Sequence, residues 1–153
     1  MTSPDPALLR TECIIQNDSR LMAGASAVVL DAARRANLSE SAQAALMDAV
    51  AGICQAAFAI AQRSEGKDAK ITLVTSDFPD RVEVAIDYAG EMAPDFDISG
   101  SGAKALGGEL SGDAAESQGS NNAVDHVSHS ARDGHSRVTL TKFSPSRNSH
   151  RND

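Results

Sequence analysis

The sequence predicts an α+β fold, a two-layer α/β sandwich in which a mostly antiparallel sheet carries helices on one face. Two observations lead to this prediction. Two long helical patterns occupy the region from about residue 19 to residue 63, and two pairs of alternating apolar segments follow, each pair joined by a short turn-forming segment. Because a short connection joins antiparallel neighbours, we expect the centre of the sheet to be antiparallel.

Composition limits the class of protein. A chain of 153 residues with 41% apolar side chains can bury one core, so we expect a single domain over residues 1–143. The net charge of -7, without a Lys/Arg cluster, argues against a nucleic-acid surface. The N-terminus lacks a basic segment followed by an apolar run, and two distant cysteines do not make a disulfide framework. We therefore expect a cytoplasmic protein that does not bind a membrane.

The first elements are a strand and a helix. Residues 8–16 contain the apolar run CII and predict a strand. Asp18 or Ser19 can cap the helix that follows, in which apolar residues recur at spacings of three and four to about Ala36. Asn37 suits the left-handed conformation that ends a helix.

A second helix is predicted from the cap Ser39 to about residue 62 or 63, and a polar turn at 64–68 ends it. Its polar residues fall on a single stripe at 3.6 residues per turn. The stripe consists of Asp48, Gly52, Gln55 and Gln62.

Two hairpins complete the predicted sheet. Strands at 70–75 and 81–88 alternate apolar and polar residues around a connection at 76–80, and strands at 123–131 and 136–143 flank an Asp-Gly turn. Residues 89–122, between the hairpins, hold seven of the chain's eleven glycines. So long a weakly apolar segment predicts a functional lid or disorder, and the polar tail at 144–153 is expected to be disordered.

This order of elements resembles the ATP-binding domain of the anti-sigma-factor serine kinases, a branch of the histidine-kinase-like ATPase superfamily. The resemblance implies that Asp48, at the family's glutamate position, would promote phosphoryl transfer to a serine. Gly52 stands where the family has the asparagine that ligates magnesium, and glycine has no side-chain oxygen to offer. Gln55, one turn further along the same face, is the alternative ligand for Mg-ATP.

The same resemblance extends to the glycine motifs. The family's Asp-x-Gly-x-Gly turn corresponds to residues 87–91, DYAGE, so Asp87 would accept the adenine amino group and Gly90 lies between the two expected glycine positions. Gly100 and Gly102 are candidates for the second glycine box, at the start of a phosphate-binding helix. A flexible loop explains a lone Gly-x-Gly equally well.

The resemblance implies ATP and Mg²⁺ as cofactors, a sigma factor or an anti-sigma antagonist as partner, and a homodimer formed through the first strand and helix. If this nucleotide site is functional, the resemblance predicts serine/threonine kinase activity. The alternative is a non-catalytic interaction module that keeps the fold without nucleotide, which Gly52 and the altered turn favour. Purely structural roles also stay open for both residues. Asp48 suits a solvated helix face, and Asp87 suits the end of a strand.

No metal-binding cluster of side chains is predicted. His126, His129 and His135 are near one another in sequence, but residues three apart on a strand point to opposite faces, and no Cys or carboxylate completes a set.

Overall fold

A computed structural model describes residues 7–94 and 124–145. Gly100, Gly102, most of the predicted lid and the tail from residue 146 lie outside the described residues. The elements follow the order β1 (Leu9–Gln16), α1 (Ser19–Arg35), α2 (Glu40–Glu65), a turn of 3₁₀ helix (Gly66–Asp68), β2 (Lys70–Phe78), β3 (Arg81–Ala89), β4 (His126–Arg132) and β5 (His135–Phe143).

The helix ends follow the capping chemistry that the sequence predicts. The side chain of Asp18 accepts a hydrogen bond from the backbone N–H of Arg20 at 2.8 Å, and this bond holds the pKa of the Asp18 carboxyl below its ordinary value. Ser39 caps α2 in the same way. Asn37 has a φ of 62°, the left-handed conformation predicted for it, and Gly66 ends α2 with a φ of 79°.

The strands form one sheet in the order β1-β2-β3-β5-β4, and each neighbouring pair is antiparallel. Both predicted hairpins are present. The first is tighter than predicted, because β2 continues to Phe78, opposite Arg81, and leaves only two residues for the turn. In the second, Asp133 and Gly134 have φ values of 55° and 81°, as a tight turn with the twist of a hairpin requires.

The core lies between the sheet and the two helices, which pack on the same face. On β2, β3 and β5 alternate residues point into this layer, and on α2 the apolar side does the same. Residues with no exposed surface include Leu73, Val84, Ile86, Val138, Leu140 on the sheet and Ile53, Cys54, Ala57 on α2. The predicted α+β class, with an antiparallel sheet and two helices, is confirmed.

Ion pairs and hydrogen bonds fix the C-terminal end of α1 to the sheet. Arg35 donates to Asp77 of β2, with 2.5 Å between Nε and Oδ2, and also pairs with Asp31 one turn back on the helix. The Asp77 carboxylate raises the pKa of the Arg35 guanidinium. Ser144 donates its hydroxyl to the carbonyl of Ala36 at 2.7 Å, so β5 and α1 are joined at this end too.

The helical span Glu40–Asp68 is long and apolar enough to cross a membrane by length and composition alone. Half of its most apolar window, 50%, is buried inside the fold. A core helix passes the same test, and the contacts of α2 with β2 and β3 account for its apolar side.

Candidate functional site

The predicted polar stripe lies on the side of α2 that does not face the core. Asp48 and Gln55 are exposed, whereas Gly52 is half-buried. No hydrogen bond or ion pair joins Asp48 to another described residue. The stripe therefore presents one carboxylate and one amide on an accessible helix surface.

Asp87 lies on the other face of the sheet. Buried residues alternate along β3, and Asp87 belongs to the half-exposed set, between Thr72 of β2 and Arg137 of β5. Arg137 holds both of its oxygens, with 2.6 Å from Nε to Oδ1 and 2.8 Å from Nη2 to Oδ2. The Asp87 carboxylate raises the pKa of Arg137. The described residues thus do not bring Asp87 together with Asp48.

Tyr88 takes the helix-facing position at the end of β3. Only 2% of its surface is exposed, and its hydroxyl donates to the carbonyl of Met92 at 2.8 Å. Burial raises the pKa of the Tyr88 phenol. A neutral aromatic side chain therefore occupies the position next to α2.

Gly90, which directly follows β3, lies close to α2. Its φ is 107°, and a Cβ added there would lie 2.8 Å from Cγ2 of Ile60 on α2. Its N–H donates to the carbonyl of Gly134 at 2.7 Å, and its own carbonyl accepts the hydroxyl of Ser136 at 2.7 Å. Both the backbone angle and the lack of space require glycine.

Ser136 and His129 extend this network, which the sequence analysis did not identify. Nε2 of His129 lies 3.1 Å from Oγ of Ser136. Because the Ser136 hydroxyl already donates to Gly90, His129 must be the donor in this pair. An activated serine nucleophile needs the opposite arrangement, with histidine as acceptor. The signal in the sequence is a serine at a core-facing position of β5, where only 3% of Ser136 is exposed.

Glu91 closes the same end of the sheet. Its Oε2 accepts the N–H of Gly134 at 2.7 Å, so the turn between β4 and β5 is bonded to the residues that follow β3. Together with Gly90, Ser136 and Tyr88, this contact joins backbone and side chains into a structural network rather than an open polar site.

The side chains of the three histidines do not form a metal-binding cluster. His126 and His135 are exposed, whereas His129 is half-buried on the helix-facing side. Over residues 7–94 and 124–145, no group of three or more His, Cys, Asp or Glu side chains could hold a metal ion.

ATP and magnesium do not fit the arrangement of the described residues. A nucleotide needs the adenine-binding carboxylate and the α2 stripe on one side of the sheet, but Asp87 and Asp48 lie on opposite sides. Both oxygens of Asp87 are also bound to Arg137.

A cleft of about 390 Å³ lies at the far end of the sheet, against the end of α1. Arg81 stacks on Phe78, with its Cζ 3.9 Å from the ring centroid, and pairs with Asp80 and Glu83. Because carboxylates already hold both arginines of this cleft, an anionic ligand gains little there. Its lining residues are Leu8, Leu9, Arg35, Ala36, Asp77, Phe78 and Arg81.

Comparisons with known proteins add no assignment. No protein-family model matches the chain. No curated protein matches it either.

Proposed function

We propose that this protein is a regulatory module that binds another protein without using nucleotide, on a fold that resembles the anti-sigma regulatory factors. The observation that supports this proposal most strongly is the position of Asp87 on the face opposite α2, with Arg137 on both of its oxygens. Arg137 occupies one acceptor site on each oxygen, and the carboxylate lies on the face of the sheet away from α2, where it does not reach an adenine amino group beside that helix.

The end of β3 supports the same proposal. Tyr88-Ala89-Gly90 has the spacing of the family's Asp-x-Gly, on the side of the sheet that faces α2. Tyr88 then stands at the carboxylate position, with its ring buried and its hydroxyl bonded to Met92. In this register the family's base-binding group is replaced by an aromatic side chain that contributes to packing.

The α2 helix supports it as well. Gly52 supplies no side-chain oxygen for Mg²⁺, and the exposed Asp48 belongs to no group of three or more His, Cys, Asp or Glu side chains in the described residues. Phosphoryl transfer depends on metal ions that neutralise the charge of the phosphates. Serine/threonine kinase activity, ATP and magnesium thus remain predictions of the resemblance, without support from these contacts.

A protein partner suits the exposed surfaces better than a nucleic acid does. The chain carries a net charge of -7, which repels a phosphate backbone. Large apolar side chains are exposed at the start of the chain, where Leu8 has 70% of its surface accessible. A sigma factor or an anti-sigma antagonist is the partner class that we propose.

Binding measurements with purified partners test this function. Sigma factors and candidate antagonists from the same genome would be titrated into the protein by calorimetry, once with Mg-ATP and once with a chelator and no nucleotide. We expect one partner to bind with affinities that agree within about twofold in both conditions. Asp48→Asn should leave this affinity unchanged. Binding that requires Mg-ATP, or no binding to any of these partners, would contradict the proposal.

A further inference from the structure

The cleft of about 390 Å³ at the end of α1, which we call the end cleft, has exposed apolar side chains at its rim. Leu8 is 70% exposed and Leu9 is 46% exposed, and both line it. Phe143, 50% exposed, lies opposite the lining residue Arg81 and extends the apolar surface beyond the cleft. Half of the six large apolar side chains that are exposed in the described residues thus lie at this end of the sheet. Such a concentration indicates a binding surface.

Hydrogen bonds hold the walls of the end cleft in place. The N–H of Leu8 donates to the carbonyl of Asp77 at 2.7 Å, which fixes the start of the chain to β2 although the Leu8 side chain is exposed. Ser144 donates its N–H to the carbonyl of Asp80 at 2.8 Å and its hydroxyl to that of Ala36 at 2.7 Å. A surface with a fixed shape loses little conformational entropy when a partner binds.

The ion pairs around the end cleft contain more carboxylates than guanidinium groups. Each of two arginines is held by two carboxylates, so four negative and two positive charges leave a net charge of -2. The side chains of Asp31 and Asp80 are 67% and 49% exposed, and a further cation can approach them from solvent. The pairs are Arg35 with Asp31 and Asp77, and Arg81 with Asp80 and Glu83.

We propose that the end cleft is the docking site of the protein partner, and that it binds a partner segment in which a Lys or Arg lies between large apolar residues. The cation pairs with the exposed carboxylates, and the apolar residues cover Leu8, Leu9 and Phe143. A small molecule confined to the cleft would leave Phe143 uncovered, which favours a protein segment. The net charge of -7 on the whole chain also favours a basic partner.

This inference rests on the proposed function, because it names the surface and the partner chemistry for the same protein binding. The two can still fail separately. A natural partner that binds wild type and end-cleft variants equally would retain the function and overturn the docking site. Peptides of defined sequence test the end cleft without the natural partner.

Three short fluorescent peptides, titrated into the full chain and followed by anisotropy, test the chemistry of the occupant. The first places a Lys between Leu and Phe residues, the second has Glu in place of that Lys, and the third has Ser in place of Leu and Phe. We expect saturable binding of the first and at least about tenfold weaker binding of the other two. Equal binding of either control peptide, or no binding of the first, overturns the proposal.

Matched apolar variants test the position of the site. Leu8→Ser should weaken binding of the first peptide about tenfold, since it removes a large apolar side chain from the rim. Ile14→Ser, towards the other end of β1 and at 65% similarly exposed, should stay within about twofold of wild type. Equal losses in the two variants would place the peptide elsewhere and overturn the proposal.

Matched charge variants test the cation. Asp31→Asn/Asp80→Asn should weaken binding about fivefold, and the fold is retained because Arg35 keeps Asp77 and Arg81 keeps Glu83. The control Glu65→Gln/Asp68→Asn changes the net charge equally among exposed residues that precede β2, and should stay within about twofold of wild type. Equal losses in the two double variants would mean a general charge effect and overturn the proposal.

Sedimentation of the free chain tests for a different occupant. We expect the end cleft to be open in the free chain, so that the first peptide leaves the mass of the protein unchanged apart from its own. A dimer that both the peptide and Leu8→Ser dissociate would mean that a second copy of this chain occupies the end cleft, and would overturn the proposal.

Discussion

The two faces of β3 differ sharply, although they alternate along one strand. Val82, Val84 and Ile86 point towards the helices and are at most 1% exposed. On the open face, Arg81 forms ion pairs with Asp80 and Glu83, and Asp87 forms one with Arg137. A shift of one residue therefore decides whether a side chain lies in the dry layer beside α2 or in contact with water.

This difference bears directly on function. A ligand between α2 and the sheet would be bound by helix-facing residues, and at the end of β3 those are Tyr88 and Gly90. A carboxylate one position earlier, Asp87, belongs to the opposite face whatever motif it resembles. The interior should respond strongly to changes in packing and pH, whereas the open face should respond weakly.

The largest expected effect concerns the interior thiol of Cys54. Burial raises the pKa of this thiol from 9.0 to about 12 in the folded protein. The folded state thus holds its proton more tightly than the unfolded chain, and the stability present below pH 9 is lost as pH rises towards 12. The loss should be on the order of 4 kcal/mol at the end of this range.

Urea unfolding at a series of pH values measures this loss. Cys54→Ala should remove most of the decline in the free energy of unfolding between pH 9 and pH 12. The pKa of the buried Tyr88 phenol is also raised, so this group should account for a remaining decline above pH 10. If wild type and Cys54→Ala decline in parallel, the thiol is not in the dry layer.

Truncation on the two faces of the sheet gives the next largest effect. Ile86→Ala should cost about 3 kcal/mol of unfolding free energy, because Ile86 is fully buried against the helices. Thr139→Ala, on the open face opposite Ala85, should cost under about 1 kcal/mol. Chemical denaturation measures both. Equal losses of unfolding free energy in the two variants would contradict the packing of the helices on one face of the sheet alone.

Gly90→Ala should cost about 2 kcal/mol, from the positive φ and from contact with Ile60. Adding Ile60→Ala removes the neighbouring methyl group, so the double variant should be more stable than the sum of the two single effects predicts. Thermal unfolding of the four proteins measures this coupling. Strict additivity would contradict the close approach of β3 and α2.

The smallest effect should come from the ion pair on the open face. Asp87→Ala should cost less than about 1 kcal/mol, since the Asp87 and Arg137 side chains are 33% and 50% exposed. A double-mutant cycle with Arg137→Ala, at low and high salt, isolates the pair. A coupling that exceeds 2 kcal/mol, or one that salt does not weaken, would assign Asp87 to a buried site.

Much of the fold could be predicted from local patterns. The caps Asp18 and Ser39 and the left-handed Asn37 act within a few residues, so the sequence contains what sets them. The extension of β2 to Phe78 depends on contacts distant in sequence, such as that of Asp77 with Arg35, and a local pattern does not contain them.

The position of Asp87 in the sheet could be predicted from one signal in the sequence. Val82, Val84 and Ile86 alternate with Glu83, Ala85 and Asp87, and this alternation already puts Asp87 on the side away from the core. The contacts of Ser136 with His129 and Gly90 could not be predicted, because they join residues from three strands or strand ends that only the folded sheet brings together.

We propose that the fold works without nucleotide. Titration calorimetry of the full chain with Mg-ATP, followed by thermal unfolding with and without Mg-ATP, tests it most directly. We expect no saturable heat and no shift of the unfolding temperature, for wild type and Asp48→Asn alike. Saturable binding that is lost in Asp48→Asn would contradict it, and would mean that α2 contributes to a working nucleotide site.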